Sequence, residues 1–304
     1  CSATGFGLWC TLGFCRLSFV FTLFYVKVKF ELFLILLSFI SHFLISIHFL
    51  IDLCVSRRFC LLLHQTPSLQ TFHKTMATWV PLESNPEVMN QFLAALGVPK
   101  KWQIVDVYGT EPDLLAIVPQ PILALIMLFP CTDKYEEHVK QQEKELAEKG
   151  QEVSKDIYFM KQLIHNACGT IALIHSVANN LDKIELEDGF LKKYLDESKD
   201  LTPERRGHLL EDSQSISEVH KVIAQEGQTA PPDDREPVPY HFVALVHTDG
   251  ALYELDGRKA SPIKHGATTP ESLLSDASQV AKKYMERDPD NVYFTLVALT
   301  AAVE

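Results

Sequence analysis

The stretch Tyr158–Asn180 reads YFMKQLIHNACGTIALIHSVANN and carries one cysteine near its centre. Apolar residues recur at helical spacing after Cys168, which predicts a helix from Cys168 to about Asn179 with Asn166 as its cap. A thiol in the first helical turn faces the positive end of the helix dipole, which lowers its pKa and favours the reactive thiolate. Gly169 would leave room for a substrate backbone. The stretch predicts a nucleophilic cysteine, and a plain buried cysteine is the alternative.

A glutamine precedes this cysteine by six residues. The side-chain amide of Gln162 and the backbone N–H of Cys168 could together stabilise an oxyanion that develops during acyl transfer. The same spacing occurs in papain-like peptidases, and the pair resembles theirs. An ordinary surface glutamine is the alternative interpretation.

A β-hairpin is predicted farther along the chain. The strand His241–His247 (HFVALVH) is followed by the turn dipeptide Asp249-Gly250 and by the strand Ala251–Leu255 (ALYEL). A two-residue turn places Asp256 on the same face as His241, within side-chain reach. A nucleophilic cysteine needs such a base and such an orienting carboxylate. The rival bases are His165, His175, His247 and His265.

The remainder of residues 76–304 mixes predicted helices with predicted strands. Ile122–Phe129 is a continuous apolar run between two prolines, which is typical of a buried central strand. Helices are predicted from Pro86 to Leu96, from Glu136 to Lys149, from Thr202, over Ser215–Ala224 and from Thr269, and strands over Gln103–Tyr108 and Asn291–Thr300. This mixture indicates an α/β (α+β) domain with one core.

Charge and cysteine content change near Met76. Residues 76–304 hold 22 basic and 37 acidic residues, a formal charge of −15. Such a surface repels nucleic acid and favours a basic partner. Only two of the seven cysteines, Cys131 and Cys168, follow Met76, which makes no disulfide framework and favours a reducing compartment.

Residues 1–75 form a hydrophobic N-terminal extension. Leu32–Ile51 is a run of twenty residues without Asp, Glu, Lys or Arg, long enough to span a bilayer as a helix. The chain begins with Cys1, and Met76 is its first methionine. We expect the extension to be translated upstream sequence, and a membrane anchor is the alternative.

Three separated motifs resemble one known family, the short single-domain ubiquitin C-terminal hydrolases. They are YFMKQLIHNACGTIALIHSVANN, HFVALVHTDGALYELDGRK followed by PIKHG, and WVPLESNPEVMNQFL. The resemblance covers residues 76–304 and implies a papain-like core, a central antiparallel sheet flanked by helices, and a knotted chain path. It places the nucleophile on Cys168, the general base on His241, the orienting carboxylate on Asp256 and the oxyanion donor on Gln162.

The resemblance also implies a substrate. Family members cut the bond after the C-terminal glycine of ubiquitin, and the sequence does not decide between ubiquitin and a related modifier such as NEDD8. The segment Gln225–Pro239 corresponds to a loop that arches over the active site, which implies small or unfolded leaving groups. The implied ubiquitin contacts are Pro81, Leu82, Glu83, Pro86, Glu226, Gly227, Gln228, Thr229, Asn291 and Phe294.

The expected setting follows from the charge, from the cysteine content and from the same resemblance. No metal or organic cofactor is expected, and nucleic acid is not an expected partner. Membrane binding is expected only if the N-terminal extension is real. The expected location is cytoplasmic, with the nucleus as a further possibility. The alternative function is a ubiquitin-binding or ubiquitin-stabilising protein with little turnover.

Overall fold

A computed structural model describes residues 77–230, 232 and 238–303. All of them belong to the second of the two units into which the chain divides, Thr75–Glu304. The stretch Leu32–Ile51 lies outside the described residues. Within the described ranges, every helix is too short or too polar to cross a bilayer.

Helices and strands follow one another irregularly along the described chain. The helices are α1 (Pro86–Ala95), α2 (Pro112–Leu115), α3 (Asp133–Lys149), α4 (Cys168–Ala178), α5 (Phe190–Ser198), α6 (Pro203–Asp212), α7 (Gln214–Ile223) and α8 (Leu273–Arg287). The strands are β1 (Trp102–Asp106), β2 (Ile122–Pro130), β3 (Tyr240–Thr248), β4 (Ala251–Leu255), β5 (Ile263–Ala267) and β6 (Thr295–Ala301).

The strands form one antiparallel sheet in the order β1-β6-β2-β3-β4-β5. β2 and β3 lie in its middle, in a register that pairs Phe129 with His241. Both strands are buried on their two faces, and this explains their continuous apolar runs. The α/β (α+β) class with a central antiparallel sheet is confirmed. The knotted path stays a prediction, because residues 231 and 233–237 lie outside the described part.

Helices cover both faces of the sheet. Phe242 and Ala244 of β3 belong to the core cluster that contains α4, whereas Val243 and Leu245 belong to the cluster that contains the apolar side of α8. Nine of the eleven residues of α4 are buried, as expected for a helix in the interior of a domain. The sheet and α4 therefore form the rigid framework that holds the first residue of α4, Cys168.

Three predicted boundaries are wrong by a few residues. The helix predicted from Thr269 begins at Leu273, because Thr269 and Ser272 first close a turn in which each backbone N–H is bound by the other side chain. β6 begins at Thr295, because the side chain of Asn291 accepts a hydrogen bond from a backbone N–H two residues on and forms a turn. α3 begins three residues before Glu136, at Asp133.

Candidate active site

Cys168 is the first residue of α4, as the sequence predicts. The prediction that Asn166 caps this helix is wrong. Ala167 is the N-cap and makes no side-chain cap bond, while Asn166 has a φ of 62°. Asparagine tolerates this left-handed conformation better than most residues do. The thiol therefore meets the end of the helix dipole without a competing side-chain cap.

The protein itself fills the space beside Gly169. A Cβ atom at this position would lie 3.1 Å from Leu82 Cβ and 3.4 Å from Phe242 Cδ2. The prediction that Gly169 makes room for a substrate backbone is therefore wrong. Its small size instead lets the segment before α1 pack against the start of α4.

His241 and Asp256 form a buried pair at the open end of the β3–β4 hairpin. The hairpin register pairs Thr248 with Ala251 and Ala244 with Leu255, as a two-residue turn requires. His241 Nε2 lies 2.7 Å from Asp256 Oδ1, and the two side chains are 3% and 0% exposed. The structure thus brings together the base and the carboxylate that the sequence predicts.

Three groups hold the Asp256 carboxylate. Besides His241, the backbone N–H of Arg258 donates to Oδ1 at 2.9 Å and the hydroxyl of Tyr135 donates to Oδ2 at 3.2 Å. Burial raises the pKa of Asp256, but the charge and hydrogen bond of His241 and the charge of Lys259 outweigh it and lower that pKa to about 2. Asp256 is therefore a carboxylate at neutral pH.

The Cys168 thiol and the His241 ring favour a charged pair. Burial raises the pKa of Cys168, but the hydrogen bond and charge of His241 and the backbone N–H groups of Phe242 and Gly169 outweigh burial. The pKa of Cys168 is therefore lower than that of an ordinary thiol. Burial lowers the pKa of His241, yet Asp256 and Cys168 raise it above the ordinary value for histidine. Because His241 Nε2 faces Asp256, Nδ1 is left for the thiol. Thiolate and imidazolium stabilise each other, which is the reactive state of a nucleophilic cysteine.

Gln162 is held close to the nucleophile. Its backbone N–H donates to the carbonyl of Gly257 at 2.8 Å, and one side-chain N–H donates to the carbonyl of Ile164 at 3.1 Å. The side-chain amide carries a second N–H. Gln162 and Cys168 line the same cavity, so that N–H can serve an oxyanion formed there.

Two cavities meet at Cys168. The loop-side groove, of about 230 Å³, is lined by Leu82, Glu83, Thr229 and Pro232. The histidine-side groove, of about 350 Å³, is lined by Cys131, Gln162, His165, His241 and Arg258. Asn166, Cys168, Val238 and Tyr240 border both. An extended chain could therefore pass the nucleophile, with one side in each groove.

Two of the four rival histidines are engaged elsewhere. His175 Nε2 accepts the backbone N–H of Met160 at 3.0 Å inside the core, and His265 Nε2 lies 2.8 Å from Glu254 Oε2. His247 lies at the turn end of β3, whereas His165 is exposed and lines the histidine-side groove. Among the described residues, no group of three or more His, Cys, Asp or Glu side chains is placed to hold a metal ion.

The sequence of this chain matches a known family along most of the described part. The family model described as ubiquitin carboxyl-terminal hydrolase, family 1, matches residues 79–286. The chain belongs to this family. A ubiquitin carboxyl-terminal hydrolase of Drosophila melanogaster is 48% identical over 227 residues, which cover 75% of this chain and 99% of that protein. The human ubiquitin carboxyl-terminal hydrolase isozyme L1 is 48% identical over 223 residues, which cover 73% of this chain and 98% of that protein.

Solved structures confirm the fold of this ubiquitin carboxyl-terminal hydrolase. The catalytic domain of Trichinella spiralis UCH37, solved bound to ubiquitin vinyl methyl ester, aligns with a TM-score of 0.57 at 24% identity. The alignment covers 74% of this chain and 96% of that domain. The predicted family and the predicted enzyme class, a cysteine peptidase, are therefore confirmed.

The predicted ubiquitin contacts fall into two regions of the hydrolase. Glu83 reaches the segment that follows α7, where its Oε2 accepts the backbone N–H of Thr229 at 3.4 Å beside Gly227. Leu82 borders the loop-side groove but is only 4% exposed. Asn291 and Phe294 lie before β6 and are half-buried. All ten positions stay predictions.

Three side chains around the site were not predicted from the sequence. Tyr135, which binds Asp256, was not singled out because the predicted α3 began after it. Its spacing with Val139 marks an apolar side on an otherwise charged helix and could have identified Tyr135 as buried, but not as a partner of Asp256. Cys131 and Arg258 line the histidine-side groove, and no local pattern in the sequence marks either residue as part of the site.

Proposed function

We propose that this chain is a thiol-dependent deubiquitinating peptidase that hydrolyses the bond after the C-terminal glycine of ubiquitin, or of a related modifier such as NEDD8. One observation carries the proposal. The thiol of Cys168 lies at a helix N-terminus beside the buried His241–Asp256 pair, in a chain that belongs to ubiquitin carboxyl-terminal hydrolase family 1. This arrangement provides a nucleophile, a base and an orienting carboxylate.

In the acylation step, the Cys168 thiolate attacks the carbonyl carbon of the glycine, and the electron pair moves onto the carbonyl oxygen. The side-chain amide of Gln162 and the backbone N–H of Cys168 hold that oxyanion. Collapse of the intermediate breaks the C–N bond, and the His241 imidazolium gives its Nδ1 proton to the departing nitrogen. The product is a thioester between ubiquitin and Cys168.

In the deacylation step, neutral His241 takes a proton from water as that water attacks the thioester carbonyl. The second tetrahedral intermediate collapses, expels the Cys168 thiolate and releases ubiquitin with a free carboxylate. Asp256 keeps Nε2 of His241 protonated throughout, so that Nδ1 is the nitrogen that exchanges protons. The second proton of the water leaves the new carboxylic acid for solvent, and the thiolate–imidazolium pair is restored.

Ubiquitin binding is proposed along the loop-side groove. Structural neighbours were solved with ubiquitin vinyl methyl ester, and the predicted contacts Glu83 and Thr229 border this groove. The described residues of Gln225–Pro239 flank Cys168, which supports small or unfolded leaving groups that can pass beneath this segment. A cytoplasmic location is proposed from the reduced cysteines Cys131 and Cys168.

The test is release of a fluorescent amine from the C-terminus of ubiquitin by the full chain. We expect steady turnover, loss of turnover in Cys168→Ala, and a covalent adduct with ubiquitin vinyl methyl ester that peptide mapping assigns to Cys168. Cys168→Ala should still bind ubiquitin, because the change removes only the sulfur. An adduct on another cysteine would contradict the assignment of the nucleophile.

The same experiment decides between the enzyme and a ubiquitin-binding protein with little turnover. A folded wild-type chain that binds ubiquitin, forms no adduct and releases no amine would support the binding protein. The lowered pKa of Cys168 favours the enzyme, because a binding surface has no need of a reactive thiolate.

A further inference from the structure

The two grooves that meet at Cys168 differ in one group, and that group decides which groove holds which side of the scissile bond. His241 lines the histidine-side groove and does not line the loop-side groove. If Cys168 and His241 act as proposed above, the imidazolium must lie beside the nitrogen that departs. The leaving group therefore occupies the histidine-side groove, and the ubiquitin tail occupies the loop-side groove.

The wall of the histidine-side groove carries a guanidinium. Arg258 Nη2 lies 3.0 Å from Glu136 Oε1, and Arg258 Nη1 lies 3.3 Å from Cys131 Sγ. These contacts use two of the five side-chain N–H donors that an arginine has. The side chains of Arg258 and Glu136 are each 42% exposed, and an ion pair this open to water exchanges partners easily.

The charge of this groove opposes that of the surrounding domain. Residues 76–304 carry a formal charge of −15, yet none of the described residues that line the groove is Asp or Glu. The groove instead presents the guanidinium of Arg258 and the exposed imidazole of His165. Lys161 adds a further positive charge behind the wall, where its Nζ donates to the backbone carbonyl of Arg258 at 3.1 Å.

We propose that Arg258 recognises a carboxylate in the leaving group, within the first two residues after the scissile bond. Guanidinium binds carboxylate through paired N–H donors, and a planar fork held by Cys131 Sγ is already oriented. The carboxylate can be an acidic side chain or the free terminus of a short extension. Arg258 is thus a specificity-determining residue for the proposed reaction, and Glu136 is the internal carboxylate that the leaving group displaces.

The test compares ubiquitin substrates that differ by one carboxylate, cleaved by the full chain. The substrates are ubiquitin extended by Glu-Gly-amide, Gln-Gly-amide, Gly-Glu-amide, Gly-Gln-amide and Gln-Gly with a free carboxylate. For the wild type we expect kcat/KM about three- to tenfold higher for the carboxylate member of a pair at low salt, and a ratio that falls as salt rises. The pairs separate side-chain carboxylates from the terminal one.

Variants assign the preference to its residue. Arg258→Gln should bring the ratio close to one, Arg258→Lys should keep part of it, and Glu136→Gln should raise it because the internal competitor is gone. The ratio between two substrates cancels any general loss of activity that a variant causes. If Arg258→Gln does not fold, Glu136→Gln decides, and a ratio that does not rise in that variant would overturn the proposal.

Two outcomes separate this inference from the proposed function. Equal kcat/KM for every pair in the wild type, or a ratio that Arg258→Gln leaves intact, would overturn the inference while the peptidase stands. If none of the five substrates is cleaved in a Cys168-dependent way, the proposed function itself is overturned.

Discussion

The charge of Asp256 is what keeps His241 protonated inside the domain. Asp256→Asn preserves the shape of the side chain but removes that charge, so the pKa of His241 falls. The thiolate then loses its imidazolium partner at a lower pH. We expect kcat/KM to drop by on the order of 10²- to 10⁴-fold. The alkaline limb of its pH profile should move to lower pH.

The measurement is the pH profile of kcat/KM with a ubiquitin substrate that releases a fluorescent amine. Asp249→Asn is the matched control, because Asp249 lies at the far turn of the same hairpin and asparagine tolerates its φ of 50°. An alkaline limb that stays at the same pH in Asp256→Asn would contradict the role of the buried carboxylate.

Gly257, which follows Asp256, packs closely against Gln162 because it has no side chain. A Cβ atom there would lie 3.0 Å from both the backbone nitrogen and Cβ of Gln162. Gly257→Ala should push Gln162 away from the oxyanion position and lower kcat about tenfold or more, with a smaller effect on KM. Kinetics of Gly257→Ala, Gln162→Ala and the double variant form the test. Losses in kcat that simply add would show that Gly257 acts elsewhere.

A buried ion pair joins β4 to the residues that follow it. Lys259 Nζ lies 2.5 Å from Glu254 Oε1, with side chains 3% and 0% exposed, and His265 holds the other carboxylate oxygen. Lys259→Met leaves the carboxylate without its main partner and should lower the free energy of unfolding by about 3–5 kcal/mol. Lys259→Met combined with Glu254→Gln should recover most of that loss. Urea unfolding measures both.

This ion pair also has a pH signature. Burial raises the pKa of Glu254, but Lys259 and His265 outweigh it and hold that pKa below the ordinary value. The stabilisation is therefore present above the ordinary carboxyl pKa of about 4.3 and is lost as the pH falls below it. The penalty of Lys259→Met should shrink in acid, and a penalty that grows there would contradict the assignment.

At the scale of elements, the β3–β4 hairpin depends on its turn. Asp249 and Gly250 have φ values of 50° and 70°, and no atom lies within 4 Å of the position a Gly250 Cβ would take. Gly250→Ala should cost about 1–2 kcal/mol in the free energy of unfolding through backbone strain alone. Gly250→Asn is the matched control and should cost less, because asparagine accepts a positive φ. Equal losses would indicate a cause other than strain.

The elements that the sequence predicts well are those with local signals. Pro86 at the first helical position predicted α1, whose N-cap is Asn85, and the dipeptide Asp249-Gly250 predicted the hairpin register that joins His241 to Asp256. The residues that determine these elements lie within a few positions of each other, so they can be recognised in a single sequence.

Elements whose form depends on distant contacts were missed. The edge strand β5 has one buried residue and little alternation, and α5 begins at Phe190 after the N-cap Gly189, which has no side chain to signal a helix start. The place of Tyr135 beside Asp256 joins residues 121 positions apart. No local pattern encodes such a contact, so the surroundings of the catalytic pair required the folded chain.

At the scale of the whole molecule, charge should govern how fast the substrate arrives. The formal charge of −15 on residues 76–304 should attract the basic tail expected of ubiquitin. We expect kcat/KM to fall several-fold between ionic strengths of about 0.02 and 0.3 M, because the Debye length shortens. Alkylation of Cys168 by neutral iodoacetamide is the control and should change little. A salt-independent kcat/KM would contradict electrostatic steering.

The place of β6 in the sheet has a consequence for protein synthesis. β1 pairs with β6 and with no other described strand, and β6 also pairs with one edge of β2. A ribosome makes β1 and β2 before β3, and β6 last of the described strands, so until β6 is made β1 has no partner and β2 can pair only with β3. Until Thr295–Ala301 emerges, the edge of β2 is open to other chains, and chaperones that cover such edges would protect this enzyme before it is complete.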